Sequence, residues 1–208
     1  MIIPQSHTLT TRHLNRGFDN TVATYKYYWF LGILDACVKQ GKSRINVWDI
    51  MISMVANAWY PVNYFRLSFG KSESLYDAIL TLQREYNIPI NIGINELTEM
   101  LQTLIQRREV RRLLNFLQMN VPFRFLRPWI DTSDDRQTVL RSQTFENGCL
   151  YKLERIDHIW WIELNPAWLP YLRENYDILT SFAYWGLTNF LQVRNPNVPN
   201  IPNKLIKR

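Results

Sequence analysis

The sequence predicts a mainly α fold of the α+β type: a multi-helix domain with a small β-hairpin near residues 149–164 and an extended, proline-rich C-terminal tail. Three observations lead to this fold class. Apolar residues recur at helical spacing along most of the 208 residues. Only 7 glycines are present, which is too few for a turn-dense all-β fold. Residues 149–164 alone show the alternating β-branched and aromatic pattern of strands.

The first half of the chain is predicted to form an arm and four helices. Residues 1–19 are polar and irregular. Further along, Gly41 suits a helix stop, Asn46 suits an N-cap, and Pro61 kinks or ends a helix. The predicted segments are a flexible arm over 1–19, helices over 21–40 and 47–57, a third helix that ends near 86, and a fourth over 96–106.

The second half is predicted to be helical on both sides of the hairpin. Asn165 and Pro166 together are typical of a helix start, because proline is tolerated at the first helical position. The arm, one domain over 20–194 and the tail then account for the whole chain. The predicted segments are a helix over 107–118, an aromatic loop over 121–129, an exposed polar stretch over 131–137, the hairpin, and a helical region from 165 to about 193.

The tail over 195–208 is predicted to be a linker. Pro196, Pro199 and Pro202 remove backbone donors at a three-residue spacing, so the segment cannot pair inside a sheet or continue a helix. Extended, polyproline-like chain is typical of a connector between two folded bodies. We therefore expect the tail to add little stability and to lead to a partner domain that is missing from this chain or lies on another molecule. The alternative is an ordered tail that lies on its own domain.

Charge and cysteine content limit the partners and the compartment. The net charge is +6, which favours a polyanionic partner and nucleic acid before an anionic membrane. The two cysteines, Cys37 and Cys149, form no disulfide framework or metal motif, so a reducing cytoplasm is expected. No apolar run has the length of a membrane span or the form of a signal peptide, so no membrane partner is expected.

Enzyme signatures are missing from the sequence. It contains no nucleophile elbow, no P-loop and no dinucleotide-binding fingerprint, and its three histidines lack metal-ligand spacing. We therefore predict no catalytic residue, no metal site and no cofactor. One alternative stays open, a cryptic acidic metal site at Asp157 and Glu163. A nuclease pattern would need a lysine two positions after Glu163, where the sequence has Asn165.

Arginines form the sharpest charged feature. On a helix, the pairs Arg107/Arg111 and Arg108/Arg112 stack at i,i+4 spacing, where like charges repel unless an anion compensates them. Guanidinium groups suit phosphate oxygens, so the pattern favours contacts to a nucleic-acid backbone. The alternative is a solvated face paired with Glu109 and other acids. The candidate nucleic-acid-binding residues are Arg107, Arg108, Arg111, Arg112, Arg124, Arg127, Lys204, Lys207 and Arg208.

Two adjacent tryptophans are the candidate protein interface. In a strand, Trp160 and Trp161 face opposite sides, so one ring faces outward unless another element covers it. This pattern supports the main alternative function, a protein-interaction or oligomerisation module that senses a partner.

Four segments resemble the N-terminal region of bacterial HNH endonuclease-domain proteins, and the likeness runs from about Tyr25 to the end of the chain. They are YKYYWFL over 25–31, NAWYPV over 57–62, VPFRFLRPW over 121–129 and NPNVPNIPNKL over 195–205. In that family a proline-rich connector leads into a ββα-metal nuclease domain with catalytic histidines, and no residue here matches that nuclease motif. The resemblance implies a non-catalytic module that binds or positions DNA for an HNH-type endonuclease, in bacterial defence or mobile-element biology.

Overall fold

The computed structural model describes residues 2–19, 21–71 and 73–206, and it confirms the mainly α fold class with a small antiparallel sheet. Helices dominate both halves of the chain. The helices are α1 (Thr11–Arg16), α2 (Tyr25–Leu34), α3 (Val47–Asn63), α4 (Ser74–Glu85), α5 (Ile94–Leu104), α6 (Arg108–Gln118), α7 (Val121–Leu126), α8 (Asp135–Ser142), α9 (Trp168–Glu174), α10 (Tyr176–Arg194) and α11 (Pro202–Leu205). The strands are β1 (Arg44–Asn46), β2 (Tyr151–Ile156) and β3 (Ile159–Leu164).

Two central helices, α2 and α3, organise the core. Every residue of α2 except Lys26 is buried, as expected for a helix that is apolar on all sides. A π-helical turn over Asp35–Lys39 continues α2. The Asn46 side chain accepts a hydrogen bond from the Trp48 amide at 2.8 Å and caps α3, as predicted. Helices α4, α5 and α11 pack on α3, and α10 packs on α2. Within the described ranges no helix combines the length and the apolar character needed to cross a bilayer.

The predicted hairpin is confirmed, and β1 extends it to a three-stranded antiparallel sheet in the order β1-β3-β2. Ile162 on β3 lies opposite Ile45 on one side and Leu153 on the other, so the register aligns the apolar face. Strands β2 and β3 are connected by a two-residue turn, because residues 155 and 156 belong to β2 and not to the loop between the strands. Asp157 and His158 both have positive φ, 48° and 64°, which is the geometry of a type I′ turn.

Prolines end fewer helices than the sequence predicts. Helix α3 continues through Pro61 to Asn63, because a proline in the last turn removes only one hydrogen bond. Residues 121–129 are not a loop: Pro122 stands in the first turn of α7, where its missing N–H does no harm. The polar stretch over 131–137 also runs into a helix, α8, where the Asp134 side chain accepts a capping hydrogen bond from the Arg136 amide at 2.8 Å.

The amino-terminal segment is not the flexible arm that the sequence predicts. Ile3, Leu14 and Phe18 are buried, with exposed fractions of 3%, 0% and 8%. The Tyr171 hydroxyl donates a hydrogen bond to the Pro4 carbonyl at 2.6 Å. These three apolar side chains are enough to hold the otherwise polar segment against the domain, because all three belong to the hydrophobic core.

The tail also differs from the predicted linker. The Asn195 side chain accepts from the Ser68 amide and donates to the Ser68 carbonyl, both at 2.8 Å. Ile201 and Leu205 are buried, and Pro202 starts α11 instead of preventing it. Apolar side chains four residues apart thus place one helical turn on α3 and α10. The segment over 195–205 belongs to the domain.

Candidate nucleic-acid interface

The arginine-rich helix α6 is strongly amphipathic. Val110, Leu114 and Leu117 are buried against the domain, while Arg108 and Arg112 are exposed on the opposite side. The chain does not run straight from α5 into α6: Arg107 is in extended conformation at the N-cap position, with ψ of 134°. The break places the four arginines of this segment in different surroundings.

Two of the four arginines fasten the helix to its neighbours. The Arg111 Nε donates to the Ile105 carbonyl at 2.8 Å, at the end of α5, and its guanidinium lies over the Trp48 ring at 5.8 Å. The Arg107 guanidinium lies over the Tyr86 ring at 5.5 Å. Cation–π contacts of this kind stabilise a surface packing arrangement. Arg107 and Arg111 are therefore structural residues in this geometry.

Arg108 and Arg112 are exposed and form none of the ion pairs found in the described part of the chain. Their neighbour Glu109 forms none either, so the predicted pairing of this face with acids is not seen there. The five ion pairs found among the described residues lie elsewhere. They are Lys39–Asp35, Lys42–Asp49, Arg44–Glu154, Lys152–Glu154 and Lys152–Glu163.

A second group of cations surrounds a cavity of about 340 Å³ that we call the basic pocket. It combines the predicted Arg124 of α7 and Arg127, which follows the end of that helix, with two residues that the sequence did not single out, Arg16 and Lys26. None of these four takes part in the ion pairs of the described residues. The rest of the wall is apolar or aromatic: Val22, Tyr25 and Pro128.

Aromatic packing brings the three segments of the basic pocket together. Phe18 stacks on Tyr27 with a ring-centroid distance of 5.4 Å and meets Phe125 edge-on at 5.6 Å. Because Phe18 follows Arg16 by two positions, this anchor holds the end of α1 beside α2 and α7. The Lys26 Nζ donates to the Gly17 carbonyl at 2.8 Å and closes the same corner.

The cations of the basic pocket repel one another. The pKa of Lys26 is lowered, first by burial and then by the positive charges of Arg127 and Arg124, while Asp19 offsets part of the effect. The sequence analysis missed Arg16 because it lies in the presumed arm, and Lys26 because it interrupts an apolar helix. One feature of the sequence could have indicated Lys26: it is a lysine within an otherwise apolar helix, and such a charge is rarely buried unless a polar partner or solvent can reach it.

Of the three predicted cations of the tail, the structure describes the contacts of Lys204. The Lys204 Nζ donates to the Pro199 carbonyl at 2.7 Å and lies over the Phe65 ring at 5.2 Å, so it holds the tail in place. Lys207 and Arg208 lie outside the described residues.

The two candidate interface tryptophans separate as strand geometry predicts. Trp160 is buried at 9% exposure and meets Phe123 edge-on at 5.1 Å, so it belongs to the core. Trp161 is half-buried on the other face of the sheet, with the Arg44 guanidinium 5.5 Å from its ring centroid. Only Trp161 remains available as a surface residue.

The acidic pair does not form a metal site. Asp157 occupies the hairpin turn, and Glu163 lies near the far end of β3, about 20 Å away at the rise of an extended strand. Glu163 is also paired with Lys152 at 3.2 Å. Within the described ranges, no group of three or more histidine, cysteine or acidic residues is arranged to hold a metal ion.

A larger cleft of about 830 Å³ lies between α3, α5 and α10. Within it, the Asp35 Oδ1 accepts from the Tyr176 hydroxyl and from the Lys39 Nζ, both at 2.8 Å. Its walls carry acids, among them Asp49 and Glu99, as well as lysines, so its field does not favour a polyanion.

Comparisons of the chain with protein families, with curated proteins and with solved structures find no match.

Proposed function

We propose that this chain is a non-catalytic module that binds nucleic acid through its phosphates and positions it for a nuclease. One observation carries the proposal: the ion pairs of the described residues leave out Arg108 and Arg112 and all four cations of the basic pocket. Unpaired cations on a fixed scaffold are the usual means by which a protein contacts a phosphate backbone.

The nature of the cations supports the same function. Guanidinium groups present a planar fork of donors that matches two phosphate oxygens, and they keep their charge at any physiological pH. Arg108 and Arg112 are one helical turn apart on the exposed side of α6. Their repulsion is relieved when an anion lies between them, so bound phosphate would stabilise this face.

The resemblance to HNH endonuclease-domain proteins supplies the proposed partner. It supports DNA as the nucleic acid, an HNH-type nuclease domain as the catalytic partner, and bacterial defence or mobile elements as the setting. We also propose a cytoplasmic location, because Cys37 and Cys149 are both free and buried.

A salt titration of duplex DNA binding tests the proposal. We compare the wild type with R108Q/R112Q and with a matched control, R136Q/R141Q, which removes two exposed charges from α8. The expected result is weaker binding of all sequences for R108Q/R112Q and a salt slope reduced by about 1 for each phosphate that the variant no longer neutralises. Equal affinities and slopes in all three folded proteins would remove this face from the function.

A protein-interaction role is the second candidate, and one observation favours it. Helix α10 exposes large apolar side chains, with exposed fractions of 48% for Ile178, 49% for Trp185 and 79% for Val193. Apolar residues at seven- and eight-residue spacing on one helix are suited to a partner surface. Light scattering over a concentration series checks this role: self-association that W185A abolishes would support it, and a monomer at all concentrations would argue against an oligomer.

A further inference from the structure

We infer that the basic pocket holds the terminal phosphate monoester of a nucleic-acid strand. This inference rests on the proposed function and goes beyond it, since contacts to a continuous backbone do not require a strand end. The assignment starts from the pocket itself: four cations from three separate segments converge on one cavity of about 340 Å³.

The number of charges favours a monoester. A backbone diester carries one negative charge, whereas a terminal monoester carries between one and two at neutral pH because its second pKa is about 6. It also has three acceptor oxygens free for charge-assisted hydrogen bonds. Arg16, Arg124, Arg127 and Lys26 offer more donors and more charge than one diester can use. The surplus would favour the more highly charged end group.

Two of the four cations are held in place before a ligand arrives, whereas Arg16 and Arg127 are exposed. Lys26 is tied to the Gly17 carbonyl at 2.8 Å, and Arg124 is half-buried on α7. Phe125, the next residue after Arg124, is fully buried and stacks on Phe30 at 6.0 Å. A preorganised site binds more tightly, because the cost of ordering its side chains has been met during folding.

The other walls suit the nucleoside that carries the phosphate. Val22, Tyr25 and Pro128 form an apolar side next to the cations. The cavity is at the small end of the range of about 300–1,000 Å³ that holds small ligands. It therefore fits a phosphate and part of one sugar, with the remaining strand lying outside.

The electrostatics of Lys26 agree with an anionic occupant. Burial, followed by repulsion from Arg127 and Arg124, lowers the pKa of Lys26, and Asp19 opposes the shift. A bound dianion would reverse that balance and raise the pKa. Arg108 and Arg112 do not line this cavity, so end recognition and backbone contact are separable by mutation.

The test compares short single-stranded oligonucleotides of one sequence that end in a 5′-phosphate, a 3′-phosphate or hydroxyls only. Wild type is expected to bind one phosphorylated form about tenfold more tightly than the hydroxyl form, which corresponds to about 1.4 kcal/mol. R124Q/R127Q should lose this preference, so that its affinity for the phosphorylated form falls to its affinity for the hydroxyl form. R108Q/R112Q should bind all three forms more weakly and keep the preference, and the control R136Q/R141Q should match wild type.

Each result decides between the two proposals. Equal wild-type affinity for all three ends overturns the monoester site, while salt-dependent binding of the hydroxyl form still supports the proposed function. Stabilisation by phenyl phosphate that R127Q abolishes, without any oligonucleotide binding, would keep a phosphate site and overturn its assignment to nucleic acid. A phosphoserine peptide that binds as tightly as the phosphorylated strand would overturn that assignment as well.

Discussion

Glu73 is the most buried carboxylate of the described residues, with 5% exposure, and it joins two helices. Its Oε1 accepts from the Thr24 hydroxyl at 3.0 Å, and its Oε2 accepts from the Tyr76 amide at 3.1 Å, where it caps α4. Burial nevertheless raises its pKa, because the charged form loses water.

Glu73→Gln is expected to flatten one part of the stability–pH curve. A folded-state pKa above 4.5 means that Glu73 favours folding most when protonated. That contribution is complete below about pH 4.5 and is lost as the pH rises through the folded-state pKa. The neutral glutamine can cap Tyr76 and bond Thr24 without this loss. Urea unfolding of both proteins at several pH values from 4 to 7 measures this loss of stability. If the free energies of unfolding of wild type and Glu73→Gln change with pH in parallel, the prediction is wrong.

Arg127→Gln is expected to raise the pKa of Lys26. Arg127 is the largest charge acting against the protonated lysine, so its removal brings the pKa nearer to 10.5. NMR titration of the Lys26 side chain measures the change. Arg141→Gln is the matched control, because it removes an exposed charge that is not part of the basic pocket. A Lys26 titration that is the same in both variants would show that the pocket cations do not interact.

At the scale of residues, the sequence shows which positions carry charge, but it does not show what each charged side chain contacts. The sequence shows four arginines at helical spacing. It does not show that two of them, Arg107 and Arg111, pack on neighbouring segments while the other two stay exposed. The division depends on Tyr86 and Trp48, which reach Arg107 and Arg111 from other segments. Such partners are set by tertiary packing, which local spacing does not encode.

At the scale of elements, the tail makes the sharpest prediction. Leu205→Ala is expected to lower the free energy of unfolding by about 2 kcal/mol, at the low end of the range for buried leucines because α11 lies at the edge of the core. Ile206→Ala is the control, since Ile206 is 52% exposed. Denaturant unfolding compares the two. Equal stabilities would restore the linker interpretation of the tail.

Elements whose signals are local were predicted well. The hairpin, the Asn46 cap and the α6 stripe follow from alternation, capping chemistry and periodicity within a few residues. Helix α7 and the two terminal segments were missed. Their structure depends on a few apolar side chains, such as Phe123, Phe18 and Ile201, that reach a core formed by other segments.

At the scale of the whole molecule, buried tyrosines are expected to limit stability in alkali. Burial raises the pKa of Tyr28 and Tyr151 well above 10, so the folded protein resists their ionisation. Their contribution to stability is complete below the unfolded-state pKa near 10 and is lost as the pH rises above it. The domain should therefore unfold cooperatively in alkali.

Tyr28→Phe is expected to reduce the loss of stability in alkali and to stabilise the protein near neutral pH. The Tyr28 hydroxyl is buried and has no hydrogen-bond partner among the described residues, so its removal ends a desolvation cost of about 1–3 kcal/mol. Tyr64→Phe is the control, because Tyr64 is 54% exposed. Thermal unfolding between pH 7 and 11 measures both effects. A Tyr28→Phe protein with wild-type alkaline behaviour would contradict the argument.

Whole-molecule features of the candidate site were only partly predictable. A net charge of +6 indicates that a basic surface exists, but the basic pocket joins residues 16, 26, 124 and 127. These positions are brought together by the aromatic cluster around Phe18, and no periodicity links them.

The packed amino-terminal segment has a consequence for synthesis. The bond between Tyr171 and the Pro4 carbonyl joins residues 167 positions apart, and β1 must wait for β3 before it can pair. Contacts at such separations form slowly, because a long loop has to close first. During synthesis, Ile3 and Phe18 would stay exposed until the later segments that cover them, among them Tyr171 and Phe182, had left the ribosome. The domain is thus expected to complete its fold late in its own synthesis, and to be a client of chaperones until then.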